Sequence, residues 1–279
     1  MPKATPDHVN NEMESVTSAD GTEITFERTG SGPPLVLVHG GGGIDHRRWE
    51  LFGAVRPALA EHFTVYAMDR RGRGESGDAD EYALEREFED VATVVDAIDE
   101  PGNLFGHSDG ALLALEAALR TDNLHTLILY EHWFEVGDHK LDFDDEIADL
   151  EALIDAGENE QALVLTLREM AGLTPEKFEQ FRTAPIWQGM VDAAHTIPRE
   201  ARATTGYEFD PARFADMTTP TLVMVGGESP QILKDVAEAT ADALPNSRVV
   251  TFEGHGHRAM DTATDRFIDE LLAFIGETD

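Results

Sequence analysis

The sequence predicts an α/β fold: a mainly parallel, eight-stranded sheet with helices on both faces, interrupted once by an all-helical insertion. Three observations predict it. Short continuous apolar runs such as Leu35-Val36-Leu37-Val38 are typical of strands buried on both faces. These runs alternate with segments whose apolar residues recur at helical spacing, the order expected of a parallel sheet with helical crossovers. The alternation stops after Trp133 and resumes at Thr221, which leaves room for the insertion.

In chain order, residues 1–13 are polar and are expected to form a flexible tail. Residues 14–18 and 22–28 alternate around Ala19-Asp20-Gly21, and an Asp-Gly turn between alternating runs predicts a hairpin. Buried strands follow at 35–38 and 63–68, with a helix over 47–60 between them. Phe88, Val91, Val94, Val95 and Ile98 lie at helical spacing and place a helix over 82–98. A strand ends near residue 107, a helix runs over 111–119, and another strand covers 124–130. Residues 136–209 carry helical patterns (Ile147, Leu150, Leu153, Ile154; Leu163, Leu167, Met170) and no convincing strand. The last four elements are a strand at 221–225, a helix at 232–244, a strand at 248–252 and a closing helix at 260–275. The core is therefore expected over 14–135 and 210–279, with 136–209 as a helical cap.

Composition narrows the function classes. Asp and Glu total 55 against 21 Lys and Arg, a formal net charge of −34. Such a charge repels itself in dilute buffer, but in molar salt the Debye length falls to ~3 Å and most of the repulsion is screened. The carboxylates are spread along the whole chain, so the expectation is a protein of a salt-loaded cytoplasm, from a halophile. The same charge disfavours nucleic acid and anionic membranes as partners. The chain has no cysteine, which excludes disulfides and a thiol nucleophile. Met1 to Glu14 has no hydrophobic signal region and no run reaches transmembrane length, so a cytoplasmic location is expected.

The stretch that carries chemistry is Gly106-His107-Ser108-Asp109-Gly110, which follows a strand and opens into an Ala/Leu-rich helix. This is the context of a nucleophile elbow. Gly106 and Gly110 remove side chains that would clash in so tight a turn, and the helix N-terminus favours a developing negative charge. His39-Gly40-Gly41-Gly42-Gly43 follows an earlier strand, Asp69-Arg70-Arg71-Gly72-Arg73-Gly74-Glu75-Ser76 the next, and Gly254-His255-Gly256-His257 the last. In order and spacing these motifs resemble the α/β-hydrolase superfamily over nearly the whole chain outside the tail and the insertion. A serine at position 108 is similar to the ester-cleaving members rather than to those that use aspartate.

The resemblance implies Ser108 as nucleophile and His257, from the family's Gly-X-Gly-His pattern, as the base that a serine hydroxyl needs. A metal role for His255 and His257 lacks a third ligand. The family's usual acid position, three residues after the glycine that ends the seventh strand, holds Ser229, which cannot balance an imidazolium. Two carboxylates are placed to substitute: Glu131, at the end of the strand after the elbow helix, and its competitor Glu228. Glu131 is the expected acid, because some members carry theirs at that strand end. The backbone N–H groups of Gly41 and Asp109 are expected to form the oxyanion hole, with the Asp109 carboxylate turned away at the helix start. The glycine run lacks the Lys-Ser/Thr of a P-loop and a dinucleotide fingerprint. Trp133, Phe134 and Trp187, with Phe178, Phe181 and Met190 from the insertion, are candidates to line a substrate pocket. The five carboxylates between Asp138 and Glu146 lack the glycine and spacing of a calcium loop and read as acidic surface.

The implied activity is hydrolysis of a small to medium, largely uncharged ester with no metal or organic cofactor. Perhydrolysis, lactone opening and carbon–carbon cleavage remain open on the same residues. So does a non-catalytic ligand-binding protein, should no carboxylate reach the histidine.

Overall fold

A computed structural model describes residues 12–51, 55–137, 143–171 and 173–278. Its centre is one eight-stranded sheet in the order β1-β2-β4-β3-β5-β6-β7-β8. The strands are β1 (Glu12–Thr17), β2 (Glu23–Gly30), β3 (Pro34–Val38), β4 (Thr64–Met68), β5 (Gly102–His107), β6 (Leu124–Tyr130), β7 (Thr221–Gly226) and β8 (Ser247–Phe252). The hairpin predicted around Asp20-Gly21 is present: β1 pairs antiparallel with β2, and β2 antiparallel with β4. All other pairings are parallel. β1 begins at Glu12, so residues 12–13 belong to the sheet rather than to the expected tail; residues 1–11 lie outside the described residues.

The helices of the first half are α1 (Arg48–Leu51), α2 (Val55–Leu59), α3 (Leu84–Asp96) and α4 (Asp109–Ala117). Between β6 and β7 come α5 (Asp144–Asp155), α6 (Asn159–Leu165), a π-turn at Thr166–Met170, α7 (Pro175–Arg182), α8 (Trp187–Asp192) and α9 (Thr196–Thr205). After β7 come α10 (Gln231–Ala243), α11 (Ala259–Thr262) and α12 (Thr264–Thr278). The single closing helix expected at 260–275 is thus two, broken at Ala263, whose φ of −141° and ψ of 47° leave the helical region.

Strand periodicity sorts the core into two layers. Successive side chains of a strand point to opposite faces: Val36 and Val38 pack with Leu104, Leu127, Leu129 and the apolar sides of α3 and α4. Leu35 and Leu37 pack with Val65, Phe105, Ile128, Met224 and residues of α2 and α12. Because helices cover both faces, the central strands are apolar at nearly every position, which is why they read as continuous runs. The helices between β6 and β7 hold a separate apolar cluster, including Leu150, Leu163, Phe178, Met190 and Ile197. The expected acidic surface of 138–146 falls partly on residues 138–142, outside the described residues; Asp144, Asp145 and Glu146 form the first turn of α5, where carboxylates complement the helix dipole.

Candidate active site

The parallel strands end together along one edge, and the sequence-predicted residues gather there. Ser108 lies between β5 and α4 with φ 59° and ψ −129°. The turn is tight: a Cβ on Gly106 would lie 2.3 Å from the carbonyl oxygen of Gly110, so only glycine fits. The Ser108 N–H donates to the Tyr130 carbonyl at 2.9 Å, which ties the turn to β6. On the other side a Cβ on Gly40 would come within 2.8 Å of Ser108 Cβ and 3.4 Å of its Oγ. The glycine loop after β3 therefore lies directly against the serine.

Glu131 ends β6 as Ser108 ends β5, and these two are the described non-glycine residues with positive φ, Glu131 at 49°. That conformation is costly for side-chain-bearing residues and clusters at functional sites. Glu131 Oε2 lies 2.6 Å from His257 Nδ1, and Oε1 accepts the Gly226 N–H at 2.5 Å. The carboxylate is thus buried, oriented by a backbone donor from β7 and aimed at the imidazole. Glu228 is exposed, and its backbone N–H donates to the His255 carbonyl. The usual acid position holds Ser229, whose Oγ is buried without a hydrogen bond to protein. His255 Nδ1 meets the Thr262 hydroxyl at 2.8 Å, so the two histidines of the loop differ in partner.

Two residues without an assigned role in the sequence reading hold the histidine loop. His107 Nε2–H donates to the His257 carbonyl at 2.8 Å, and the two rings lie 4.6 Å apart. Burial pushes the His107 pKa well down, which keeps this ring neutral beside His257. The Tyr130 hydroxyl donates to the Gly256 carbonyl at 2.7 Å. His107 was visible as the X of its motif; nothing in the sequence marked the Gly226 amide or the Tyr130 hydroxyl.

Gly41 and Asp109 are brought together. A Cβ on Gly41 would lie 2.2 Å from Asp109 Oδ2. Oδ2 also lies 3.9 Å from the buried Arg70 guanidinium. Of the pocket candidates, Trp133 is half-buried with its ring 6.5 Å from that of His257. Phe134 corrects the expectation. It is fully buried and stacks on Phe209 with centroids 4.3 Å apart, so it packs the interior. Trp187 meets Phe178 edge-on at 5.9 Å within the apolar cluster of the helical segment, to which Phe181 and Met190 also belong. That segment reaches the glycine loop, since a Cβ on Gly43 would lie 2.8 Å from the Met190 carbonyl oxygen.

Among the described residues, one group has the composition to hold a metal ion: buried Asp45, His46 and Asp69. Its ligand atoms are engaged by the protein. The His46 N–H and Nδ1 both contact Asp69 Oδ1, at 2.8 and 2.9 Å, His46 Nε2 lies 3.2 Å from Glu27, and Arg47 covers the Asp45 carboxylate. Burial lowers the His46 pKa, but Asp69, Asp45 and Glu27 outweigh it and hold it above its ordinary value. A protonated imidazole in an ion network fits these contacts better than a metal ligand does.

Residues 35–270 match the alpha/beta hydrolase family. The chain belongs to that family. A solved alpha/beta hydrolase from Sphaerobacter thermophilus is 38% identical, covers 91% of this chain and 100% of its own, and superposes with a TM-score of 0.76. An uncharacterized hydrolase of Bacillus subtilis, YraK, is 34% identical over 116 residues, which is 40% of this chain and 41% of that protein. A 2-hydroxy-6-oxo-6-(2'-aminophenyl)hexa-2,4-dienoic acid hydrolase of Metapseudomonas resinovorans is 25% identical across 94% of this chain and 91% of its own. The protein is a hydrolase by family, and no described helix is long and apolar enough to cross a membrane.

Proposed function

We propose that this alpha/beta hydrolase cleaves small to medium, uncharged carboxylic esters through an acyl-enzyme. Ser108 Oγ attacks the ester carbonyl carbon as His257 takes its proton. Glu131 holds the imidazole through Nδ1 and balances the imidazolium that forms. The oxyanion is held by the N–H groups of Gly41 and Asp109. The C–O bond to the alcohol then breaks, His257 returns the proton to the leaving oxygen, and water repeats the sequence on the acyl-enzyme. Residues 136–209 act as a cap over the glycine loop, with Trp133 beside the histidine. This chemistry uses no metal or organic cofactor.

The observation that carries the reading is the 2.6 Å contact between Glu131, at the end of β6, and His257 Nδ1, on the loop after β8. It also speaks against a non-catalytic binding protein, which was the alternative had no carboxylate reached the histidine. The relative that hydrolyses a dienoic acid favours carbon–carbon cleavage as a second reading. Charge opposes it here: Asp109, Glu87 and Glu200 outnumber Arg70 and Arg73 beside the glycine loop, and an anionic substrate gains nothing from that balance.

The test is release of p-nitrophenol from p-nitrophenyl acetate and butyrate in multimolar KCl, comparing wild type with Ser108→Ala. A burst and steady turnover that vanish with the serine are expected. Equal rates from two folded proteins would sink the assignment.

A further inference from the structure

Behind the glycine loop lies a buried ion network that the reaction scheme does not use. Arg70 and Arg73 come from the loop after β4 and are almost fully buried. Arg70 makes two bonds to Glu87 of α3, at 2.6 and 2.7 Å, and Tyr82 donates to the same carboxylate at 2.7 Å. Arg73 pairs with Glu200 of α9 and reaches Thr196 Oγ1 at 3.3 Å; Arg70 lies 3.2 Å from Glu200 as well. Four charged groups in the interior are costly unless their partners and hydrogen bonds are in place.

Both guanidinium groups end on one atom. The Gly40 carbonyl oxygen accepts Arg73 Nη1 at 2.8 Å and Arg70 Nη1 at 3.1 Å. A third donor is His39: the Arg70 N–H donates to His39 Nε2 at 3.3 Å, so Nδ1 carries the proton and donates to Gly40 O at 3.0 Å. The described chain has no cis peptide. In a planar trans peptide the carbonyl and the following N–H point in opposite directions. Three donors that fix Gly40 C=O therefore fix the direction of the Gly41 N–H, and two positive charges on the oxygen polarise that N–H as a donor.

We infer that Arg73, seconded by Arg70 and anchored by Glu200 of the helical segment, is a positioning residue that orients the Gly41 N–H toward the oxyanion. The inference rests on the ester-hydrolase reading above and deepens it, because it makes the oxyanion hole depend on a carboxylate of α9. Acylation and deacylation both pass through an oxyanion, so a loosened Gly41 slows both alike and leaves KM in place.

The test uses the full-length protein in multimolar KCl and three readouts: kcat and KM for p-nitrophenyl butyrate, and the affinity of an alkyl trifluoromethyl ketone, whose hemiketal with Ser108 places an oxyanion in the same hole. The double variant Arg73→Met/Glu200→Met removes the pair together, so that neither charge is stranded. Losing an oxyanion donor outright costs about 10²–10³ in rate, and losing its orientation costs less. We expect kcat and ketone affinity to fall together by about 10–100-fold, with KM moving less than about threefold. A folded double variant with kcat and ketone affinity within twofold of wild type overturns the inference. If the double variant does not fold, by near-ultraviolet circular dichroism, Arg73→Lys decides. Its ammonium keeps the charge against Glu200 but lacks the fork that serves Glu200 and Gly40 at once. A parallel loss of about 3–10-fold in kcat and ketone affinity is then expected, and unchanged values overturn the inference. Wild-type turnover that does not depend on Ser108 removes the underlying reading instead. Turnover that needs Ser108 but ignores Arg73 removes only this one.

Discussion

Glu131 and Ser108 share an unusual backbone, both at positive φ at the ends of adjacent parallel strands, and in each case neighbours hold the strained conformation. For Glu131 the Gly226 N–H on one oxygen leaves the other to His257. Glu131→Gln keeps the size but places a neutral amide against the imidazole. It is expected to lower kcat for p-nitrophenyl butyrate by about 10³–10⁴-fold, the range for neutralising the acid of a Ser-His-acid triad. Glu228→Gln, on an exposed residue, is expected to stay within twofold. The reverse ranking would return the acid to Glu228. Gly40→Ala tests the packing of the serine: its Cβ would meet Ser108 Cβ at 2.8 Å, closer than real Cβ contacts allow. The expected result is a folded protein with at least about 100-fold lower kcat, read alongside its melting curve, because a sub-ångström shift of the nucleophile suffices.

The loop from β8 to α11 depends on strands far from it in sequence. Tyr130 of β6 and His107 of β5 each bond a carbonyl of that loop. Tyr130→Phe leaves the Gly256 carbonyl without this donor; it is expected to cost about 1–3 kcal/mol in a urea titration and to reduce kcat more than it raises KM. Equal kcat in a destabilised variant would make the tyrosine purely structural. These contacts also mark the limit of what the sequence made legible. The buried strands of the parallel sheet were readable because burial on both faces writes continuous apolar runs, as in β3 and β7, and the elbow because Gly106 and Gly110 have a steric reason to be glycine. Glu131 was legible as the expected acid ahead of Glu228, but its bond from the Gly226 amide was not, since a backbone donor leaves no trace in residue identity. Phe134 was misplaced because an aromatic residue that packs against Phe209 has the same letter as one that lines a pocket. The approach of Arg70 to the Asp109 carboxylate was not legible, because the two are 39 positions apart in the chain.

Charge acts on the molecule as a whole. Among the described residues five buried arginines, Arg48, Arg56, Arg70, Arg71 and Arg73, are set among eight buried carboxylates, so most of the net charge of −34 lies at the surface. Two opposing pH effects follow. Burial pushes the Glu87 carboxyl up, but Arg70 and Tyr82 outweigh it and hold it down at about 2, below its ordinary 4.5; Glu116 is likewise held low by Arg213, Arg120 and Tyr207 against its burial. A depressed carboxyl contributes stability that is fully present above its unfolded value and is lost as pH falls through the folded one. For Glu87 that window runs from about pH 5 down to about 2. Surface repulsion has the opposite sign, because protonating exposed carboxylates relieves it. Salt separates the two, since molar KCl screens the surface but hardly reaches the buried pairs. We propose that the fold requires salt, as the composition suggests. The melting temperature at pH 7 is then expected to rise by about 10–20 °C between 0.1 and 3 M KCl. In 0.1 M KCl, acidification from pH 7 to 5 also relieves surface repulsion, because protons there do the work of salt. In 3 M KCl that relief is gone and the same acidification should lower the melting temperature, because burial holds the imidazoles of His39, His107 and His132 below their ordinary pKa while the unfolded chain takes up protons below about pH 6.5. Stability should fall further below about pH 5, as Glu87 and Glu116 begin to lose their partners. A melting temperature independent of KCl, or one with the same pH slope at both salt concentrations, would show that the surface charge does not limit this fold.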